Sequence, residues 1–335
     1  MTCRWLRIRP PFLLLVLLVF LLPMAGIGCS ESDSGSEEEP PFGDTASTPF
    51  SRVVVTTDFG ETLLVEETLD PMGDTTAMEA LKQVAEVETA YGGGFVNAIE
   101  GLRSGYTAGH TSKTDWFWYI NGMQAKSGAG EYKLRPGDVE HWDFRDWSFH
   151  YFVPAVVGHF PEPFLHGYGG KIAPTVIVYD AGFGEEAEDL VARLGELGVT
   201  QVSSKGALAL TKEEKKHSNL LILGTESCNL ISELNSGRLY ARAGFFAQLK
   251  DGKIVTYDTG GGASAEYGAG YGLIQATQSP WNSKGIGACE NVVWMVSGTD
   301  EAGVEAAVNA LLETPEEFRF ACGVVVSGEK IIKVP

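Results

Sequence analysis

Three uninterrupted apolar runs constrain the C-terminal half of the chain: Thr175-Val-Ile-Val-Tyr179, Leu220-Leu-Ile-Leu223 and Asn291-Val-Val-Trp-Met-Val-Ser297. A strand with one face in water alternates apolar and polar residues, so runs without alternation belong to strands covered on both faces. Apolar residues at helical spacing follow two of them: Ala187, Leu190, Val191, Leu194 and Leu197 after the first, and Val304, Ala307, Val308, Leu311 and Leu312 after the third. Strand, helix and strand in succession predict a parallel sheet flanked by helices, a flavodoxin-like three-layer α/β domain over residues 171–335.

The pattern before residue 153 is different. Arg52–Thr57 and Thr62–Glu66 are rich in β-branched and aliphatic residues, and Asp58, Phe59, Gly60 and Glu61 between them predict a hairpin. Thr76 with Glu79 three residues on has the form of a capping box, and Met78, Leu81, Val84 and Ala85 continue at helical spacing. Asp115-Trp-Phe-Trp-Tyr-Ile120 runs into Asn121-Gly122, a pair that tolerates the positive φ of a type I′ turn. Arg135-Pro-Gly-Asp138 predicts a further turn before a strand from Val139 to Phe144. An α+β roll over 51–152 is the expected result. Pro154, Pro161, Pro163, Gly167, Gly169 and Gly170 mark 153–170 as a linker between two domains, the first of which, 51–152, is expected to fold without the rest.

The N-terminus has a different character. Arg4, Arg7 and Arg9 precede an apolar run from Phe12 to Leu22 and the small-residue stretch Ala25-Gly-Ile-Gly28, which together predict a secretory leader over 1–28. The run is too short to span a hydrocarbon core of ~30 Å. Cys29 follows where a bacterial lipobox places its lipidated cysteine, with Gly26 where that motif prefers an aliphatic residue; ordinary cleavage near Gly28 is the alternative. Residues 29–50, rich in Ser and Glu, lack the apolar surface needed to fold and predict an acidic tether. The expected location is the outer face of a membrane, held there through lipid on Cys29. Twenty-five basic and 44 acidic residues give a net charge of −19, and removing a leader with three arginines and no acid takes it to about −22. Such a chain repels phosphate backbones, which excludes nucleic acid as its main partner.

Four blocks in the first half carry a family resemblance. Asp74-Thr-Thr-Ala-Met-Glu-Ala-Leu81, Gly94-Phe-Val-Asn-Ala-Ile-Glu-Gly101, Trp116-Phe-Trp-Tyr-Ile-Asn-Gly122, and Tyr132-Lys-Leu-Arg-Pro-Gly-Asp138 with Trp142 resemble, in order and spacing, a bacterial surface-domain family of unknown function related to the C-terminal domain of transcobalamin and intrinsic factor. The resemblance implies a β-grasp-like roll over about 51–150, and it implies cobalamin or another corrinoid as the first candidate ligand. The α/α barrel that accompanies this domain in the transcobalamins has no counterpart here. In the second half, Ser297–Val304 resembles βα units of cell-envelope and surface-layer proteins.

Aromatic residues are the most distinctive chemistry of the first half. Trp116 and Trp118 share one face of their strand, Trp142 and Phe144 share a face of a second strand, and Trp147 follows. These rings either pack a core or form a stacking platform for a flat ligand. The platform reading takes Trp116, Trp118, Tyr119, Asn121, Gly122, Trp142 and Trp147 as ligand-binding residues.

No catalytic constellation is legible. His141, His150, His159 and His166 lack the spacing of a helical metal-ligand pair, so no metal site is assigned. Ser227 or Cys228 as a nucleophile needs a nearby base, and His217 carries no motif linking it to either. Gly260-Gly-Gly262 and Gly268–Gly272 lack the order of a phosphate loop. Cys228, Cys289 and Cys322 leave pairing open. The sequence therefore predicts a non-enzymatic, exported lipoprotein that binds a small ligand, a corrinoid first. The alternative is a structural or adhesive envelope protein that contacts protein or glycan.

Overall fold

Hairpin chemistry opens the first sheet, and helix caps and turns place the rest of it. The computed structural model describes residues 50–70, 73–107, 109, 112–328 and 330–335; the leader, Cys29 and the tether up to residue 49 lie outside the described residues. The elements of the first part are β1 (Ser51–Thr57), β2 (Thr62–Leu69), α1 (Ala77–Val84), β3 (Val87–Ala90), β4 (Phe95–Ile99), β5 (Leu102–Arg103), β6 (Thr114–Ile120), β7 (Met123–Gln124) and β8 (Val139–Asp146). The strands β2-β1-β8-β6-β7 form a mixed sheet in which β1 and β8 run parallel and the other pairs antiparallel. The strands β3-β4-β5 form a small separate sheet. Thr76 accepts from the backbone of Glu79 and the Glu79 carboxylate accepts in return from the Thr76 backbone N–H, so the capping box forms as its sequence requires. Asn121 and Gly122 take φ of 50° and 73°, the left-handed pair that the β6–β7 turn needs.

The second part comprises β9 (Thr175–Tyr179), α2 (Gly184–Glu196), β10 (Val202–Gly206), α3 (Lys212–His217), β11 (Asn219–Gly224), α4 (Asn229–Leu234), α5 (Gly237–Ala243), β12 (Ala247–Lys250), β13 (Lys253–Tyr257), β14 (Ala263–Tyr267), β15 (Gly272–Gln278), β16 (Val292–Gly298), α6 (Glu301–Glu313), β17 (Gly323–Ser327) and β18 (Lys330–Val334). Its main sheet has the order β10-β9-β11-β16-β15-β17-β18. The pairs from β10 to β16 are parallel, as the apolar runs predict, whereas β15, β17 and β18 pair antiparallel. The sheet is therefore mixed rather than parallel throughout. Ile177, Leu221, Leu223, Trp294 and Val296 pack with α2 and α6, while Val176, Val178, Leu220, Ile222 and Met295 pack with Leu230, Ile231 and Leu234 of α4.

Residues 153–170 join the two sheets and are largely interior: Val153, Ala155, Val156, Val157 and Phe164 are buried. Phe59, Phe117 and Tyr119 of the first part share one apolar cluster with Val176, Phe246 and Val325 of the second, and the described residues form one compact unit. Backbone meets backbone where Phe320, at φ 67°, passes between Gly60 and Gly158: a Cβ on either glycine would collide with the Phe320 main chain. Phe320 N–H donates to Gly158 O at 3.0 Å, and the Val157 and Gly158 N–H groups both donate to Ala321 O.

The glycine-rich segments of the second part serve packing. Cβ atoms on Gly272, Gly298 or Gly303 would strike the backbone where α6 meets β15 and β16. Asp258 accepts from Gly260 N–H at 2.9 Å and Gly262 N–H at 2.8 Å, closing the β13–β14 turn with its own carboxylate.

Candidate functional site

An open cleft of about 600 Å³ lies where residues 126–135 of the first part face residues 168–173 and 289–290. Its floor is aromatic. Tyr132 and Tyr168, both nearly buried, meet edge to face at 5.1 Å between ring centroids. Tyr132 O–H donates to Asp138 at 3.0 Å and accepts from Gly169 N–H at 3.0 Å, so the ring is fixed at both sides of the cleft. Asp138 also accepts from Arg135 N–H at 2.9 Å and from the Asn121 side-chain amide at 2.8 Å. Burial pushes the Asp138 carboxyl above its usual range, against these hydrogen bonds, and burial likewise pushes the Tyr132 phenol up.

Basic side chains line the cleft. Lys126 donates to Ala288 O at 2.8 Å and stands 5.3 Å from the Tyr168 ring centroid. Lys133 pairs with Asp74 at 2.8 Å in the open, and Glu290 is already taken by Lys284. Among the described residues, Lys126, Arg135 and Lys171 have no carboxylate partner within ion-pair distance. Lys126, Lys133, Arg135 and Lys171 outnumber the two carboxylates of the lining, Glu131 and Glu290, so in a chain of net charge −19 the cleft is locally attractive to an anion or a dense array of hydrogen-bond acceptors. Cys289 forms part of the lining, but its thiol faces Gln124 O at 3.3 Å and burial pushes its pKa up to about 11, which leaves it a thiol.

The residues expected to bind ligand divide into four groups. Trp142 and Trp118 stack at 5.6 Å with planes 16° apart, and Trp118 meets Tyr132 edge to face at 6.1 Å. These two rings support the cleft floor from behind. Asn121 and Gly122 are interior; Asn121 is fully hydrogen bonded to Asp138, Gly167 O and Val139 N–H, and thereby braces the same wall. Tyr119 is fully buried on the opposite face of β6, between Val153 O and the Arg145 guanidinium. Trp116 and Trp147 lie toward the other end of β6 and are half-buried, with their indole N–H groups on Leu102 O and Asp115. The fold thus uses most of the aromatic set internally, and Tyr132, Tyr168, Lys126, Arg135 and Lys171 are the residues that sequence reasoning missed. The run Lys126 to Arg135, basic within an acidic chain, was the available signal; Tyr168 and Lys171 join it only through the fold.

The Ser227–Cys228 segment and the four histidines from His141 to His166 form two further groupings. Ser227 O–H reaches Asp180 at 3.3 Å and Thr225 at 2.8 Å, whereas His217 ends α3 beside Glu213 and Cys228 is buried with its thiol pKa pushed up by burial. His141 and His159 are hydrogen bonded to each other at 2.9 Å, His166 to Glu162, and His150 to Phe245 O. Among the described residues no group of His, Cys, Asp and Glu has the arrangement to hold a metal ion. Cys228, Cys289 and Cys322 are unpaired and buried.

The family model of a domain of unknown function, DUF4430, matches residues 74–146, from just before α1 to the end of β8. One side of the cleft therefore belongs to this domain and the other to the remainder of the chain. No curated protein matches the chain significantly. Among solved structures the chain is similar to a protein of Ruminococcus gnavus ATCC 29149 described as a candidate metal binding protein, with 15% identity over 29% of this chain and 97% of that one, at a TM-score of 0.23.

Proposed function

We infer that the chain is an extracytoplasmic, non-enzymatic binding protein whose ligand occupies the cleft over Tyr132 and Tyr168. The observation that carries this reading is the set of unpaired cations, Lys126, Arg135 and Lys171, on the wall of an aromatic-floored cleft in an acidic chain. A corrinoid such as cobalamin is the first candidate. It combines a broad, partly apolar face, peripheral amides and a phosphate, which would meet tyrosine rings, backbone groups and cations in turn. In this reading residues 51–152 are the β-grasp-like, transcobalamin C-terminal-like part, 171–335 the flavodoxin-like part, and Cys29 carries the lipid that holds the protein at the outer face of the membrane.

Calorimetry and visible spectroscopy with hydroxocobalamin test the ligand. Arg135→Ala and Lys171→Ala should each weaken binding about tenfold or more, because each removes a charged donor. Trp116→Ala and Trp147→Ala should leave affinity within about twofold if the cleft, rather than the far end of the β6 face, is the site. Absence of heat and of a spectral shift with the wild-type protein rejects the corrinoid. Loss confined to the tryptophan variants would move the site to that face. Carbonate-washed membranes test the anchor, since Cys29→Ser should release the protein into the soluble fraction.

A further inference from the structure

The small sheet β3-β4-β5 carries an aromatic cluster on its exposed side, remote in sequence from the cleft residues. Tyr91 and Tyr106 are 74% and 70% exposed, and half-buried Phe95 lies between them at centroid distances of 6.0 and 6.3 Å. Such rings in water add little to folding, and a cluster of them is the surface signature of recognition. The backbone reinforces the point. Tyr91 sits at φ 51°, followed by Gly92 at 74° and Gly93 at 97°, so a bulky residue occupies a left-handed position that glycine would take more easily.

Planar polar groups border the rings. Arg103 donates to Glu88 at 2.8 Å, Asn97 donates to the other oxygen of the same carboxylate at 3.3 Å, and Thr107 O–H donates to Asn97. The Arg103 and Glu88 side chains remain about half exposed while paired, so each keeps hydrogen-bonding capacity toward solvent. Their charges cancel within the pair, Glu86 and Glu100 at the same sheet add negative charge, and the net charge of −19 opposes an anionic polymer. Open aromatic faces beside a neutral row of guanidinium, carboxylate, amide and hydroxyl match one chemistry well: the C–H face and the equatorial hydroxyls of a pyranose. A protein partner would bury the rings equally, but it does not require the polar row to be neutral and bidentate.

We propose that Tyr91, Phe95 and Tyr106, with Asn97, Glu88 and Arg103, form a binding face for a neutral, β-linked glycan. The face is independent of the cleft and of the ligand the cleft takes. Full-length protein is titrated with cellohexaose and with chitohexaose, followed by calorimetry and tyrosine fluorescence. Wild type should bind at least one of them. Tyr106→Ala should weaken that binding about tenfold, and the Tyr91→Gly, Tyr106→Ala double variant should abolish it. Tyr91→Gly alone relaxes the turn, so its thermal midpoint should equal or exceed that of wild type while its glycan affinity falls; this separates stacking from folding. Arg135→Ala in the cleft should leave glycan binding unchanged, so failure of the corrinoid reading does not touch this one. Absence of binding to both oligosaccharides, or equal binding by wild type and the double variant, overturns the proposal.

Discussion

Strands β8 and β16 both lie inside their sheets, yet β8 buries Glu140, His141, Asp143 and Arg145 where β16 buries Val293, Trp294, Met295 and Val296. The polar set is organised. Thr56 O–H donates to Asp143 at 2.8 Å, and the Thr56 oxygen then accepts from His141 Nε2–H at 2.8 Å. That assignment makes His141 Nδ1 the acceptor for His159 Nε2–H at 2.9 Å and leaves both rings neutral. Arg145 donates to Tyr119 O–H at 2.5 Å, lies 3.8 Å from Asp143, and stacks 4.3 Å from the Phe117 ring centroid. An apolar interior is held by area and shape, which are indifferent to pH, whereas this interior is held by protonation states and partners. The second sheet should therefore tolerate changes of solution that disturb the first.

Separating the halves is the strongest way to break this comparison. The buried face of β8 is covered by His159, Phe320 and Cys322, so a fragment of residues 51–152 would expose Arg145, Asp143 and Tyr119 together. Independent folding, which the change of sequence pattern suggests, is not what this packing favours. We expect collapsed amide dispersion in its NMR spectrum, and a dispersed spectrum would show that the polar set is stable without its cover.

Next in size is the loss of the buried cation. Arg145→Met leaves Asp143 without its cationic neighbour and should cost about 3–5 kcal/mol in urea unfolding at pH 7. Trp294→Ala, a cavity in the apolar sheet, should cost a similar ~3–5 kcal/mol. The two should differ in one respect: adding Asp143→Asn should recover part of the first loss, and no polar change should recover the second. A cost below about 1 kcal/mol for Arg145→Met would mean that the set is dispensable.

A smaller, continuous effect comes from titration. Burial, with Arg145 and Arg52 adding to it, lowers the His141 pKa from 6.5 to about 3, and burial with the neighbouring His141 lowers that of His159. Below pH 6.5 the unfolded chain binds protons that the folded chain refuses, so stability is full above that pH and falls by about 1.4 kcal/mol per pH unit for each ring on acidification. Glu140 acts in the opposite sense. Burial raises its pKa from 4.5 to about 8, so its contribution is full below pH 4.5 and is lost as pH rises toward 8. Asp138, Asp143 and Glu162, whose carboxyl pKa values burial also raises, act with Glu140, so stability measured by unfolding from pH 4 to 9 should decline on the alkaline side of pH 6.5. Glu140→Gln should remove its share of the decline across pH 4.5 to 8, on both sides of pH 6.5, and an unchanged profile in that variant would contradict the assignment.

The smallest difference expected is none at all. Thr76 and Thr211 cap helices in the two halves with the same reciprocal bonds, to Glu79 and Glu214. Thr76→Ala and Thr211→Ala should each cost about 1 kcal/mol, measured by the shift in urea midpoint. Unequal costs would show that one half unfolds locally before the other.

Local chemistry was legible in the sequence, and long-range satisfaction was not. The Asp58–Glu61 turn, the Asn121-Gly122 turn, the Thr76 cap and the apolar runs of β9, β11 and β16 all read correctly because each depends on neighbours a few residues apart. Strand β15 did not read, because its buried Gln275 and Gln278 are satisfied by Ala247 O, Gln124 O and Pro154 O, partners far away in the chain. Edge strand β10, Val-Ser-Ser-Lys-Gly, lacks any apolar pattern. The tryptophans were visible as a group, but which face each would occupy depended on how β8 registers against β6, with Trp142 opposite Trp118 and Phe144 opposite Trp116. The cleft was hidden for the same reason, since its walls come from segments near residues 130, 170 and 290.

Phe320 wedged between Gly60 and Gly158 ties the first turn of the folded chain to nearly its last. A polypeptide is made N-terminus first. The polar side of β8 therefore waits for a stopper that arrives at the end: until residues 318–322 emerge, the part of its cover that Phe320 and Cys322 supply is missing. Native contacts of such wide sequence separation slow folding and lengthen the time spent with interior groups open. Truncation by a few tens of residues at the C-terminus would then strip β17 and β18 from their own sheet and at the same time unsettle the hairpin of β1 and β2, far away in the sequence.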